Sequence, residues 1–229
     1  MLIGGFQKCS MIDYPDKLSA IVFSQGCNFR CPYCHNPELV LPAKFNVSLK
    51  DDEIIGFLKT RIGKLDGVVL TGGEVCLQKD LIQFAEKIKD LGFLIKLDTN
   101  GSKPDVVEKF LDKKLVDYFA MDIKTSPKKY KDFFASKISF SSILASIKLI
   151  MNSGVEYEFR TTVVKSLLTN EDFIHIGETI NGAERYYLQK FVVTKLLDEN
   201  YRTALSYSNT ELEEIKSIMG NYVKLVTIR

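Results

Sequence analysis

Three cysteines, Cys27, Cys31 and Cys34, fall close together in the stretch CNFRCPYCHN, residues 27 to 36, and His35 follows directly. Thiolates at such spacing are soft ligands, and soft ligands select zinc or iron–sulfur clusters. A closed structural zinc site needs a fourth protein ligand, and its ligands commonly come as two separated pairs. The candidates for that place are His35, Cys9, Cys76 and the distant His175. His35 adjoins Cys34, and adjacent residues rarely reach one metal without straining the chain. A zinc site closed within this one segment is therefore disfavoured, although Cys9 or Cys76 could complete one through space. A four-iron, four-sulfur (4Fe-4S) cluster takes one cysteine per iron, so three cysteines would leave one iron open to a substrate or cofactor. Buried structural thiols are the third reading of the same residues.

Other groups suited to chemistry are spread along the chain. In TGGE, residues 71 to 74, Gly72 and Gly73 free the backbone for close approach to a ligand, and Glu74 offers an acceptor for an ammonium. The same glycines also suit a plain tight turn. Asp98 lies in LDTNG (97 to 101), and Asp122 with Lys124 in AMDIK (120 to 124). Each carboxylate could equally be a solvated or capping group. Arg160 sits inside an otherwise apolar stretch, FRTTVV, and a buried guanidinium cannot shed its charge, so it requires an acid or a ligand carboxylate.

These residues need elements to hold them. β-branched and apolar runs predict strands over 20–25, 67–72, 93–100, 116–124, 156–164, 186–192 and 222–228. Helical spacing predicts helices over 48–61, 78–91, 103–112, 139–153, 170–180 and 208–219. Ser48 before Asp51, and Thr169 before Asn170, Glu171 and Asp172, read as helix starts. Alternating strands and helices make a parallel sheet with crossover helices. A full eight-unit barrel takes about 250 residues, so a chain of 229 predicts an incomplete one. The cysteine stretch, TGGE, DTNG and DIKTSP each follow a predicted strand, the end at which parallel barrels build active sites.

No linker or repeat divides the chain, so residues 1–229 are read as one domain. The formal charge is only +2, from 31 basic and 29 acidic side chains, and KKYK at 128–131 is a short basic run. Neither a nucleic acid nor a membrane is expected as partner. No targeting segment is recognised at the N-terminus, so a cytoplasmic location is expected. In that reducing compartment five unevenly placed cysteines fit metal binding better than disulfides.

CNFRCPYCHN resembles the CxxxCxxC signature of radical S-adenosylmethionine (radical SAM) enzymes, including the aromatic Tyr33 before the third cysteine. TGGE resembles that superfamily's GGE motif. Within it, the stretch GGFQKCSMIDYPDKLSAIVFSQGCNFRCPYCHNPELV is similar to the activating proteins of anaerobic ribonucleoside-triphosphate reductases. LDTNG and AMDIK, and more weakly FRTTVV and YYLQKF, extend the similarity to glycyl-radical activating enzymes in general.

The resemblance implies an α/β fold: a partial (β/α)6 barrel of TIM type with parallel strands, open on one side. It implies that Cys27, Cys31 and Cys34 hold a 4Fe-4S cluster whose remaining iron takes the amino and carboxylate groups of S-adenosylmethionine. One electron, from a flavodoxin- or ferredoxin-type donor, would then yield methionine and a 5′-deoxyadenosyl radical. That radical would take a hydrogen from a glycine of a partner protein, for which anaerobic ribonucleoside-triphosphate reductase is the leading expectation. Five cysteines are too few for an added cluster domain, and an open barrel side suits a peptide loop. A small-molecule substrate, as in 7-carboxy-7-deazaguanine synthases, is the alternative within the superfamily, and a zinc-bearing binding or structural protein the alternative outside it.

By the same resemblance Gly72, Gly73 and Glu74 bind the methionine amino group, and Asp98 and Lys124 contact S-adenosylmethionine. Tyr33 is expected near the adenine, and Arg160 is a candidate for the cofactor's carboxylate. Asp98, Thr99 and Asp122 match a monovalent cation site of the activating enzymes. The family's proline after GGE is absent; Val75 and Cys76 stand there, and Cys76 is expected as a small buried group. His35 is expected to donate a hydrogen bond behind the ligands, and His175 to have no role.

Overall fold

The structure, a computed structural model, describes residues 1–133 and 139–229. Eight strands form one sheet: β1 Ile3–Ser10, β2 Ser19–Ser24, β3 Gly67–Gly72, β4 Leu94–Thr99, β5 Tyr118–Asp122, β6 Glu156–Val163, β7 Arg185–Lys190 and β8 Leu225–Ile228. The helices are α1 Pro37–Val40, α2 Asp51–Lys59, α3 Leu81–Asp90, α4 Pro104–Asp112, α5 Phe140–Met151, α6 Asn170–Thr179 and α7 Asn209–Met219. Strand order in the sheet follows chain order from β1 to β8. β2 through β8 are mutually parallel, as crossover helices require, and among the described residues β1 and β8 do not pair, so the barrel stays open.

One strand departs from the sequence expectation. β1 is an additional strand and pairs antiparallel with β2. Its sequence, IGGFQKCS, has two glycines and no β-branched run, so strand propensity does not reveal it. Tertiary contacts fix it instead. The Ile3 N–H donates to Ser48 Oγ at 2.8 Å, and the terminal ammonium reaches Asp51 at 3.1 Å. Ser48 therefore pins β1 and does not cap α2, whose N-cap is Lys50 without a side-chain bond. Thr169, in contrast, caps α6 reciprocally with Asp172.

Alternation along the strands divides the sheet into two faces. Ala20, Val22, Val68, Leu70, Ile95, Leu97, Phe119, Met121 and Phe159 belong to the core that also takes in the buried residues of the helices. Ile21, Val69 and Tyr118, with Tyr14 from the β1–β2 turn, form a separate small apolar cluster on the other face. Polar strand residues share that second face: Lys96 and Asp98 on β4, Asp122 on β5, and Glu158 and Arg160 on β6.

Candidate active site at the strand ends

The loops after β2, β3, β4 and β5 surround one cavity of about 220 Å3. Cys27, Cys31, Tyr33, Cys34, Gly72, Gly73, Glu74, Asp98, Thr99, Asp122, Lys124 and Arg160 all line it, together with His35. Every residue singled out from the sequence for the cluster, the cofactor or the cation is thus in one place. Cys9 is exposed on β1, and Cys76 is buried in the core outside the cavity lining. His175 lies on α6 between Glu171 and Glu178, outside the cavity lining.

The cysteine loop is held from within. Arg30 Nη1 donates to the carbonyls of Cys27 at 2.7 Å and Phe29 at 2.8 Å, and the Cys34 N–H donates to the Cys31 carbonyl at 3.0 Å. Asn28 joins it to the turn after β4, donating to Ser102 Oγ at 2.8 Å and accepting from Asn100 Nδ2 at 3.0 Å. Burial pushes the Cys27 thiol up to about 12 and the Cys31 thiol up to about 11, and raises Cys34 as well. The Lys124 ammonium opposes that effect on all three. Among the described residues no three His, Cys, Asp or Glu side chains converge on a point for one metal ion.

His35 differs from its expected part. Its ring stacks on Phe191 at 5.9 Å and 9°, and Nε2 is buried without a hydrogen-bond partner among the described residues. It packs the cysteine loop against the segment after β7. The Asp198 N–H strengthens this contact by donating to the Pro32 carbonyl at 3.1 Å.

The glycines after β3 serve an approach of chain to chain. A Cβ on Gly72, whose φ is +122°, would stand 2.3 Å from the Ser24 nitrogen, and one on Gly73 2.2 Å from the Gly26 carbonyl oxygen. The Gly73 N–H donates to the Ser24 carbonyl at 2.9 Å and the Glu74 N–H to that of Gly26 at 2.8 Å, prolonging the β2–β3 pairing beyond the strand ends. Glu74 is also committed. Its Oε1 accepts from Thr99 Oγ1 at 2.7 Å and the Cys76 N–H at 3.1 Å, and Oε2 from the Asn100 N–H at 2.7 Å. Burial raises its pKa against these bonds. The bond to Cys76 caps the short 3-10 turn Val75–Leu77, which orders the loop where the family has proline.

A partly buried ionic network lies beside Glu74. Arg160 Nε donates to Asp122 Oδ1 at 2.9 Å and Nη1 to Asp98 Oδ2 at 3.2 Å. Lys124 Nζ donates to Asp122 Oδ2 at 3.0 Å, and Lys96 Nζ to Asp98 Oδ1 at 2.6 Å. Glu158 stands 3.9 Å from Arg160 and receives Tyr118 OH at 2.9 Å and Arg229 Nη1 at 3.1 Å. Burial pushes the Asp122 carboxyl up, but Arg160 and Lys124 outweigh it and hold it at about 2. Burial would lower the Arg160 and Lys124 values; the neighbouring acids, Asp122 first, hold both up. Among the described residues Lys124 keeps donors beyond its bond to Asp122, and Arg160 keeps Nη2.

Asn28, Asn100, Lys96 and Glu158 escaped the sequence reading. The signal available was polar residues at period two within or just after buried strands, as in Lys96 with Asp98 and Glu158 with Arg160. The donor set fits a cofactor-held cluster: three thiols on one loop, with a spare guanidinium nitrogen and ammonium nearby for a carboxylate.

The sequence profile described as "Radical SAM superfamily" matches residues 21–181. A Methanocaldococcus jannaschii protein named as a glycyl-radical enzyme activating enzyme is 36% identical over 100% of this chain and 95% of its own length. The pyruvate formate-lyase-activating enzyme of Streptococcus mutans is 28% identical over 81% of this chain and 75% of that protein. Among solved structures, Streptococcus suis SuiB bound to S-adenosylmethionine matches with a TM-score of 0.68 at 14% identity, over 91% of this chain and 49% of that one. A domain of a pyruvate-formate lyase-activating enzyme from Bacteroides vulgatus matches with a TM-score of 0.57 at 16% identity, over 71% and 98%.

Proposed function

The chain belongs to the radical SAM superfamily, in its glycyl-radical activating group, and from that premise we propose that it activates a glycyl-radical enzyme, an anaerobic ribonucleoside-triphosphate reductase being the leading partner. It is an enzyme that works with a 4Fe-4S cluster and S-adenosylmethionine. Once bound and reduced, by a flavodoxin- or ferredoxin-type donor, these supply the 5′-deoxyadenosyl radical that takes a hydrogen from the partner's glycine. The observation that carries the reading is the convergence of three thiols, a partly buried ammonium and a partly buried guanidinium on one cavity.

Within one domain over residues 1–229, Cys27, Cys31 and Cys34 would hold the cluster. Ligation requires thiolates, and Lys124 eases their deprotonation against burial. Arg160 Nη2 and the spare donors of Lys124 would hold the methionine carboxylate. Glu74 has about one acceptor site left for the amino group beyond its three bonds, so its larger part is to fix the Thr99–Asn100 turn. Tyr33 would pack near the adenine. Asp98 would act through Arg160, which it positions. The open side of the sheet supports a peptide loop as substrate, and the N-terminal similarity supports the reductase as its source.

The test is anaerobic reconstitution, measurement of iron and sulfide, and then reductive cleavage of S-adenosylmethionine. Wild type should cleave it, and Cys31→Ala should not. Incubation with the purified reductase should give a glycyl signal by electron paramagnetic resonance. Cleavage without that signal for any glycyl-radical partner would remove the activase assignment, and undiminished cleavage by Cys31→Ala would remove the ligand set.

A further inference from the structure

The similarity to activating enzymes implies a monovalent cation at Asp98, Thr99 and Asp122, and the residues present do not fit one. Such an ion needs oxygen lone pairs turned toward it. Each of the four carboxylate oxygens already accepts from a fixed cation, so any lone pair that remains lies beside an ammonium or guanidinium: Asp98 accepts from Lys96 at 2.6 Å and Arg160 at 3.2 Å, with Thr71 Oγ1 at 3.4 Å as well, and Asp122 from Arg160 at 2.9 Å and Lys124 at 3.0 Å. The Thr99 hydroxyl is held in both directions, donating to Glu74 at 2.7 Å and accepting from the Gly101 N–H at 3.1 Å, which leaves it one lone pair. Asp98 and Asp122 are thus already bonded to three built-in cations, of which Arg160 is shared with Glu158 at 3.9 Å, and a free ion would have to approach against those charges.

Lys96 is the unusual member of this set. It lies two residues before Asp98 on β4, so both side chains leave the same face. In register it is flanked by Val69 on β3 and Tyr118 on β5. Its side chain is only 3% exposed, and its hydrogen-bond partner among the described residues is Asp98. An ammonium is kept in such a place only when it is paired.

We propose that the Lys96 ammonium is a tethered replacement for the monovalent cation, so that this protein neutralises and positions Asp98 without K+ or Na+. Lys96 is a positioning residue, acting through Asp98 on Arg160. The proposal rests on the reading that S-adenosylmethionine occupies this cavity.

The test compares chloride salts of K+, Na+ and choline at constant ionic strength, on the reconstituted protein. Two quantities are read: the thermal unfolding midpoint without S-adenosylmethionine, and the affinity for S-adenosylmethionine by equilibrium dialysis. Wild type should give the same midpoint and affinity in all three salts. Lys96→Ala opens room for an ion; it should lose about tenfold in affinity in choline and recover most of it in K+ or Na+. Its midpoint should rise with either ion. A wild type stabilised, or made tighter-binding, by K+ or Na+ over choline would overturn the proposal. So would a folded Lys96→Ala protein indifferent to the salt. If Lys96→Ala does not fold, the wild-type comparison decides alone. A wild type that binds no S-adenosylmethionine in any salt refutes the reading of the cavity, while its unfolding midpoint still tests the cation.

Discussion

Asp122 shows how the site is held together at the scale of single residues. Its carboxylate joins Arg160 to Lys124, and these two cations keep its pKa at about 2 against a burial effect in the opposite direction. A carboxyl with a depressed folded pKa stabilises above its unfolded value and loses that stabilisation as the pH falls through the folded one. The window here runs from 3.8 down to about 2. Asp122→Asn should therefore cost about 2 kcal/mol near neutral pH, and the difference from wild type should shrink as the pH falls through that window. Urea unfolding of both proteins at several pH values checks this; a difference that stays constant with pH would show that charge is not the cause. The same variant frees Arg160 and Lys124 from their common partner, so affinity for S-adenosylmethionine should change with it.

The elements matter because they bring strand ends into register. Gly73 lies against the backbone of Gly26, and a Cβ there would collide with a carbonyl that has no rotamer to escape into. Gly73→Ala should push the loop after β3 off β2, displacing Glu74 and with it the Thr99–Asn100 turn. A loss of S-adenosylmethionine affinity of about tenfold or more is expected, with the helices intact by circular dichroism. Farther from the site, Thr169→Ala should remove one side of the α6 capping box and cost about 1 kcal/mol in urea unfolding. Its effect on the cavity should be small, because Asp172 keeps its bonds to Ser126 at 2.5 Å and Lys129 at 2.6 Å, which anchor the loop after β5.

For the molecule as a whole, the open barrel poses a problem of closure. β1 and β8 are the edges, yet the cysteine loop after β2 is braced by the segment after β7, through the His35–Phe191 stack and the bond from Asp198 to Pro32. Lys195 reaches Glu38 at 3.4 Å across the same gap, and Leu196 is buried. This segment therefore ties the two sides of the sheet at the level of the thiols. Phe191→Ala should leave the fold intact but loosen the cysteine loop, giving loss of iron to a chelator several times faster than in wild type. Retention at the wild-type rate would mean that the brace lies elsewhere. No helix among the described residues is long and apolar enough to cross a membrane.

The cysteine spacing, the period-two strands and the 3.6-period helices are local patterns, and they were legible because each is written in consecutive residues. They placed seven of the eight strands and, through the motif resemblance, many of the residues that line the cavity. β1 was not legible, since its pairing depends on Ser48, Asp51 and the β2 ladder, all distant in sequence. Nor could the sequence tell what each site residue touches. Glu74 spends three acceptor positions on its own loops, the glycines of TGGE pack against backbone, and His35 stacks where it was expected to donate a bond. Sequence by itself determined which chemical groups are present and that they stand at strand ends. Tertiary structure decided how their charges are shared, because a partly buried carboxylate takes the nearest cation in space, and Arg160 is shared between Asp98 and Asp122 only when β4, β5 and β6 lie side by side.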